Sequence, residues 1–367
     1  MKEKISTYQA VLLIVSAIFP TAIVVLPVII GKYLEQDSPL AVIFSGLVGL
    51  GIAWLIGSLI KATGDAPFLE WVGNKISPVF AVLIGIFLLQ YYLDLTTNVL
   101  RVYVNFIKEN VLLNTPTVIT AVIIMLVTLY MINRGIEAIS RINSIVNLML
   151  LMVFPLYIWG LTKHINLHRL LPIFDHSAAS LTLASLTPIG WMSEVSVLLF
   201  IAPYLKFPRK STFIGVIGIC LVTLAMFVEI IMTLLVFGPQ YMKNIAYPIF
   251  STISIIQVGR FIENLDVLFI SYWTMSVYMK IAIFMFATVQ CFKQTFRIRN
   301  DKPYTVALSI VVITECLYTW REPEKLNIFN EEGRIIVFLL FNILLPMGIL
   351  LWTRIKEPVI KRKEYKT

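Results

Sequence analysis

Charged residues are scarce in this chain of 367 residues. Asp, Glu, Lys and Arg together make up 14% of the sequence, whereas about 25% is usual for soluble proteins. Hydrophobic residues make up 58%, and the mean hydropathy is +0.85. These values exclude an ordinary soluble globular protein and predict an integral membrane protein that crosses the bilayer several times.

Sequence motifs of the common enzymes and ATP-driven pumps are absent as well. The chain has no G-x-x-x-x-G-K-[ST], no H-E-x-x-H and no G-x-S-x-G. Its three cysteines lie in or at the ends of apolar runs, which excludes a disulfide framework. His164 and His168 have a spacing that could bind zinc on a helix, but solvated loop histidines are the commoner case. We therefore expect no enzyme activity, metal or cofactor.

The distribution of basic residues argues for a membrane and against nucleic acid. The net charge is +9, but Lys and Arg are spread over short loops and the tail and do not form one basic face. Placing the N-terminus in the cytoplasm puts most of them in cytoplasmic loops, as the positive-inside rule requires. The sequence predicts that both termini are cytoplasmic and that residues 354–367 form a basic cytoplasmic tail.

Apolar runs long enough to cross a bilayer occur ten times. We expect one integral membrane domain over residues 1–367, with helices 1–5 over about 9–161 and helices 6–10 over about 181–353. The runs are approximately 9–30, 39–60, 79–107, 117–133, 143–161, 181–203, 211–238, 264–290, 304–320 and 335–353.

Two of these runs are interrupted at similar depth, by "AIFPTA" at 17–22 and by "LTPIG" at 186–190. Because each half would have five spans, the halves would form an inverted repeat with broken helices 1 and 6. Free N–H groups near Thr21 and Ala22 would suit a carboxylate, and free carbonyls near Thr187 would suit an ammonium group. The alternative is a pair of simple proline kinks that neighbouring helices stabilise. The first interpretation predicts a ligand site lined by Ala17, Phe19, Thr21, Ala22, Thr187, Ile189, Gly190 and Trp191.

The third and eighth runs carry further polar residues. Tyr91, Asp94, Asn98 and Arg101 follow helical spacing and form one stripe, which would line a pocket, with Tyr91 and Asp94 binding the ligand, or hold a structural Asp94–Arg101 pair. Aromatic residues in a membrane span are often packing or interface anchors. In the eighth run, however, Tyr272 and Thr274 are further candidates for the ligand site.

Two charges stand at matching depth in different runs. Glu194 and Lys280 each lie about nine or ten residues from the inner end of their run, so we expect them to form a coupled pair. The alternative is a permanent structural ion pair. Glu229 in the seventh run has no obvious partner in the sequence.

Several stretches resemble one family, the B-type permease subunits of the Ger spore germinant receptors, in the amino acid, polyamine and organocation transporter superfamily. They are "GDAPFLEWVGNKIS", "NRGIEAISRINSI", "NLHRLLPIF", "GWMSEVSVLLFIAPYLK", "YPIFSTISIIQVGRFIENLDVLFISYWTMSVYMKI" and "NILLPMGILLW". The resemblance implies an all-α polytopic membrane protein of ten transmembrane helices with the LeuT-type 5+5 inverted repeat. The "FPTA" of the first run departs from the glycine-rich break usual in the superfamily.

The same resemblance predicts function and partners. It implies a subunit in the inner membrane of the bacterial spore that binds a small-molecule germinant, typically an amino acid, and signals to A-type and C-type receptor subunits. The alternative is a proton-coupled amino acid transporter, which would need the same pocket.

Overall fold

The structure, a computed structural model, describes residues 4–256, 265–319 and 334–364. Within these ranges the regular elements are helices, and the one β-bridge pairs Ile5 with Leu205. The helices are α1 (Thr7–Leu34), α2 (Ser38–Thr63), α3 (Phe68–Lys75), α4 (Pro78–Asn110), α5 (Thr117–Asn133), α6 (Gly135–Leu161), α7 (Ala178–Met192), α8 (Leu198–Ile201), α9 (Ser211–Phe237), α10 (Pro239–Met242), α11 (Pro248–Ser254), α12 (Leu265–Phe296), α13 (Lys302–Tyr318), α14 (Arg334–Phe338) and α15 (Leu345–Glu364).

Membrane-spanning length and composition are found in 7 helical segments of the described ranges. The first of them, Thr7–Thr63, contains both α1 and α2 with the turn Glu35–Asp37 between them. The apolar helix α5 has 17 residues and is shorter than these segments. The all-α membrane class predicted from the apolar runs is confirmed.

Helix α1 lies in the interior of the bundle. It packs against α6, α7, α9 and α12, and its side chains are buried without interruption from Ala10 to Val24. A helix that is apolar on every side is stable only when other helices or lipid surround it. The polar groups along α1 therefore face protein.

The first predicted break is wrong in this structure, because α1 is helical from Thr7 to Leu34 with Pro20 and Pro27 inside it. A proline removes one N–H and leaves a carbonyl of the preceding turn without its usual donor. Side chains of α12 donate to other carbonyls in this part of the helix: Trp273 Nε1 donates to Pro20 O at 2.8 Å, and Lys280 Nζ lies 3.4 Å from Ile18 O. Helix α1 therefore continues through both prolines and contacts α12 there.

The sixth run is irregular at a different place from the one predicted. Helix α7 continues through Pro188 to Met192, and a 3-10 segment then occupies Ser193–Val197 before α8. A second irregular segment is the π-helix Leu339–Leu344 between α14 and α15. Such non-α segments inside long helices are often found at functional sites.

The α1–α2 turn fastens the loop that precedes α7. Asp37 accepts hydrogen bonds from the backbone N–H groups of Phe174, Asp175 and His176 at 2.8, 2.9 and 3.1 Å. Its carboxylate also lies 3.0 Å from the Nδ1 atom of His176. One buried side chain therefore holds three consecutive residues of a loop far away in the sequence.

At the other end of α1, the chain is joined to the segment that follows α8. Ile5 N donates to Tyr204 O at 2.8 Å, and Lys206 N donates to Ile5 O at 3.0 Å. The Lys4 ammonium donates to Leu205 O at 3.1 Å. The start of α1 and the end of the sixth run are thus connected through their backbones.

Candidate functional site

The candidate site is centred on an ion pair inside the bundle. Lys280 Nζ on α12 lies 2.8 Å from Glu194 Oε2 in the 3-10 segment, and the two side chains are 0% and 1% exposed. The same ammonium donates to Thr21 Oγ1 at 2.7 Å and approaches Ile18 O of α1. Lys280 therefore connects three elements, α1, α12 and the segment that carries Glu194.

The surroundings of Lys280 explain how a charge can be buried at this depth. An ammonium group has three N–H donors, and Glu194, Thr21 and the Ile18 carbonyl provide three acceptors. A buried charge is tolerated only when a counter-ion and hydrogen bonds compensate for lost hydration. Each N–H donor of the Lys280 ammonium thus has an acceptor. A change at any one of the three acceptors alters the other two contacts.

Asn342 links the two irregular segments beside this pair. From the π-helix, its Nδ2 atom donates to Ser193 Oγ at 2.8 Å and to Tyr91 OH on α4 at 2.6 Å. Its Oδ1 atom accepts from Ser196 Oγ at 2.6 Å. The amide joins α4, the 3-10 segment and the π-helix in one buried hydrogen-bond network.

The polar stripe on α4 meets Arg334 at the start of α14. Arg334 Nη1 donates to Asn98 Oδ1 at 2.7 Å, and Nη2 lies 3.8 Å from Asp94 Oδ2. Arg101 donates instead to Cys316 O at 3.2 Å. The alternative of an Asp94–Arg101 pair is therefore wrong, because α14 brings a closer guanidinium to Asp94.

Aromatic rings pack around the Pro20 carbonyl. The Trp273 ring centroid lies 4.4 Å from that of Phe106 and 5.7 Å from that of Tyr103. Phe106 in turn packs edge-on against Tyr247, in the segment that precedes α11. The rings form an aromatic wall that joins α4, α12 and the segment before α11 beside α1.

The structure brings part of the predicted ligand site together. Thr21 contacts the ion pair directly, and Tyr91 contacts the Asn342 network beside it. Gly190 lies inside α7, where an added Cβ would be 2.5 Å from Phe338 Cδ2. Backbone groups near Thr21 and Thr187 remain within helices, so the predicted capture of a ligand by exposed helix ends is wrong for this conformation.

The remaining predicted residues have the following positions. Five of them, on α1 and α7, are buried but make no hydrogen bond or ion pair with Glu194 or Lys280 in the described ranges. On α12, Tyr272 is buried and Thr274 is half-buried, and the two lie about 9 to 12 Å from Lys280 along the helix at 1.5 Å per residue. The five on α1 and α7 are Ala17, Phe19, Ala22, Ile189 and Trp191. Their part in binding stays a prediction.

Two polar residues of the site were missed from the sequence, Arg334 and Asn342. Asn342 is the polar residue within the apolar run "VFLLFNILL", and an intramembrane polar side chain is itself a sign of a functional site. Arg334 stands directly before that run and is indistinguishable from a loop residue in the sequence. Its partners on α4, Asn98 and Asp94, lie more than two hundred residues away in the sequence.

The fold and the site together define an all-helical membrane protein with a charged pair buried beside its first helix. The chain belongs to the spore permease family: the family model, described as spore germination protein, matches residues 4–323.

Relatives of known name agree with this assignment. Spore germination protein KB of Bacillus subtilis (strain 168) is 21% identical over 374 residues, which cover 100% of this chain and 99% of that protein. Spore germination protein XB of Bacillus anthracis is 23% identical over 302 residues, or 79% of this chain and 81% of that protein.

Solved structures show the same fold in transporters. A Na⁺-coupled sialic acid symporter in a substrate-bound outward-open state superposes with a TM-score of 0.66 at 10% identity, covering 92% of this chain and 79% of that one. Mhp1, a nucleobase-cation-symport-1 family transporter in a closed conformation, gives 0.58 at 12% identity, covering 96% and 93%. The relatives and structural neighbours are spore germination proteins and transporters, not enzymes.

Proposed function

We propose that this chain is the B-type membrane subunit of a spore germinant receptor, and that it binds a small germinant at the Glu194–Lys280 pair. The observation that carries the proposal is the pair itself, fully buried against Thr21 of α1. Ionisable residues within the membrane are costly and usually mark ligand or ion sites. Membership of the spore permease family supplies the physiological context.

The chemistry of the pair favours an amino acid as the germinant. A zwitterion carries one carboxylate and one ammonium group, and the site presents an ammonium and a carboxylate 2.8 Å apart. The ligand carboxylate would take the place of Glu194 at Lys280, and the ligand ammonium would bind Glu194, so one ion pair would become two. Thr21 and the Asn342 network would adjust with them, because Lys280 and the 3-10 segment connect these groups.

The finer architecture belongs to the same proposal. The ten apolar runs fall on helices in the described ranges, which supports ten spans arranged as a 5+5 inverted repeat in one domain over residues 1–367. The basic loops and the tail at 354–367 support cytoplasmic termini. We place the subunit in the inner spore membrane, where A-type and C-type receptor subunits would receive its signal.

A proton-coupled amino acid transporter is the second candidate function. The observation that favours it is the fold shared with the sialic acid symporter and Mhp1. Both functions use the same binding site, and they differ in whether the ligand crosses the membrane.

Purified protein separates the two functions. Thermal unfolding of the chain in detergent would be measured with each of the twenty common L-amino acids, and an amino acid that stabilises it would be radiolabelled for binding and uptake in proteoliposomes. Saturable binding without uptake supports the receptor, whereas uptake driven by a proton gradient supports the transporter. Thermal unfolding that no amino acid shifts would contradict an amino acid germinant.

Two variants assign the binding to the pair. Lys280→Met should abolish binding, whereas Glu137→Gln, at a half-exposed residue paired with Arg141, should leave it unchanged. Binding that survives in a folded Lys280→Met protein would place the germinant elsewhere.

A further inference from the structure

A second buried carboxyl group lies in α9, away from the proposed germinant site. Glu229 is 1% exposed, and among the described residues neither of its oxygens has a hydrogen-bond partner. Glu194, in contrast, has the Lys280 ammonium at 2.8 Å. Of these two buried glutamates, Glu194 is paired with a positively charged side chain and Glu229 is not.

Hydroxyl groups surround Glu229 on three helices. Thr233 lies one turn further along α9, is 0% exposed, and has a hydroxyl that lies near that of Tyr157 but makes no hydrogen bond of regular geometry within the described ranges. Tyr157 on α6 interacts electrostatically with Glu229, and its hydroxyl lies 3.3 Å from Thr252 Oγ1 on α11. One carboxyl group and three hydroxyl groups therefore come together between α6, α9 and α11.

The hydrogen bonds leave lone pairs available in this cluster. Thr252 donates its proton to Ile249 O at 2.7 Å, so the hydroxyl proton of Tyr157 is directed to Thr252. A hydroxyl oxygen has two acceptor lone pairs in addition to its proton. Tyr157 and Thr233 can therefore offer oxygen lone pairs beside the Glu229 carboxylate.

A charged carboxylate in such a position is strongly unfavourable unless it takes up a proton or binds a cation, and either one would remove the cost. Carboxylate and hydroxyl oxygens are hard ligands of the kind that alkali and alkaline-earth cations prefer. A single carboxylate balances one positive charge. The described part of the chain also holds no cluster of three or more His, Cys, Asp or Glu residues suited to a metal ion. We propose that Glu229, Thr233, Tyr157 and Thr252 form a binding site for a monovalent alkali cation.

The site is separate from the proposed germinant site. None of its four residues contacts Glu194 or Lys280 through a recorded hydrogen bond or ion pair in the described ranges. A cation there would fasten α11 to α6 and α9, next to the aromatic wall of Tyr247 and Phe106. The inference does not depend on the identity of the germinant or on transport.

Cation binding is testable on the purified full chain without germinant. Thermal unfolding would be compared in NaCl, KCl and choline chloride at equal ionic strength, and binding of ²²Na⁺ would be measured directly. We expect NaCl or KCl to raise the Tm by several degrees over choline chloride in a saturable manner, because a ligand that binds only the folded state stabilises it.

Variants of the cluster identify the site. Glu229→Gln should lose the cation-dependent shift and be at least as stable as the wild type in choline chloride, because it removes an uncompensated charge; a purely structural glutamate would not behave in this way. Thr233→Val should weaken the apparent affinity by about tenfold, and Glu137→Gln should have no effect. Equal Tm values of the wild type in all three salts would overturn the proposal, as would a cation response that persists in Glu229→Gln.

Discussion

The Lys280 ammonium and the Glu194 carboxylate lie 2.8 Å apart with essentially no solvent exposure. Lys280 belongs to the regular helix α12, whereas Glu194 belongs to a 3-10 segment between α7 and α8. The pair therefore joins a rigid element to an irregular one. Substitutions of Lys280 and Glu194 therefore test the contact between α12 and the 3-10 segment.

Single substitutions in the pair should be more harmful than the double substitution. Glu194→Gln or Lys280→Met leaves one buried charge alone, at a cost of about 3 to 5 kcal/mol, whereas replacing both partners can be nearly neutral. We expect each single variant to lower membrane abundance and Tm, and the double variant to recover part of the loss while remaining unresponsive to germinant. A double-mutant cycle on Tm measures the coupling, and strictly additive effects would contradict it.

Gly190 should not tolerate even a methyl group. A Cβ at this position would lie 2.5 Å from Phe338 Cδ2, so Gly190→Ala should destabilise the protein by about 1 to 3 kcal/mol through overpacking. The matched control is Gly51→Ala in α2, where an added Cβ meets nothing within 4 Å among the described residues. Thermal unfolding compares the two, and combining Gly190→Ala with Phe338→Leu should restore stability. A Gly190→Ala protein as stable as the Gly51→Ala protein would show that α7 and α14 are not in close contact.

Removal of the Asn342 amide should disrupt the network that joins the two irregular segments. Asn342→Leu would remove the bonds of the amide to Ser193, Ser196 and Tyr91, although Ser193 would still donate to Gly190 O, and each buried polar group left without a partner costs about 1 to 3 kcal/mol. Tyr91→Phe removes one hydroxyl from the same network and should cost only about 0.5 to 1.5 kcal/mol. Tm measurements would rank the variants, and an equal or reversed order would be inconsistent with Asn342 as the centre of the network.

Asp37 should control the order of the loop that precedes α7. Asp37→Asn replaces one acceptor oxygen by an amide NH2 donor that faces backbone N–H groups. Amide hydrogen exchange at residues 174–176 should therefore become at least about tenfold faster, since loss of a buried charge-assisted hydrogen bond costs about 1.5 to 3 kcal/mol. Asp175→Asn, at an exposed side chain in the same loop, provides the control. Unchanged exchange in Asp37→Asn would mean that other contacts hold the loop.

The sequence predicts the helices well because the bilayer fixes their length and apolar character. It also indicates Glu194 and Lys280, since charges within apolar runs are conspicuous. The positions of the breaks were less predictable, because Pro20 and Pro188 both lie inside continuous helices that pack against their neighbours. The 3-10 and π segments follow from tertiary packing and leave no period in the sequence. The contact of Arg334 with Asp94 is of the same kind, because it joins residues distant in the chain.

The backbone bonds of Ile5 to Tyr204 and Lys206 have a mechanical consequence. They fix the first turn of α1 to the end of the sixth run, so these two elements cannot separate there without breaking main-chain hydrogen bonds. Elsewhere α1 packs against α7 through side chains, and Asp37 of the α1–α2 turn holds the loop that precedes α7. The main-chain bonds at Ile5 therefore act as a staple that holds the start of α1 to the end of the sixth run, the same run that carries Glu194.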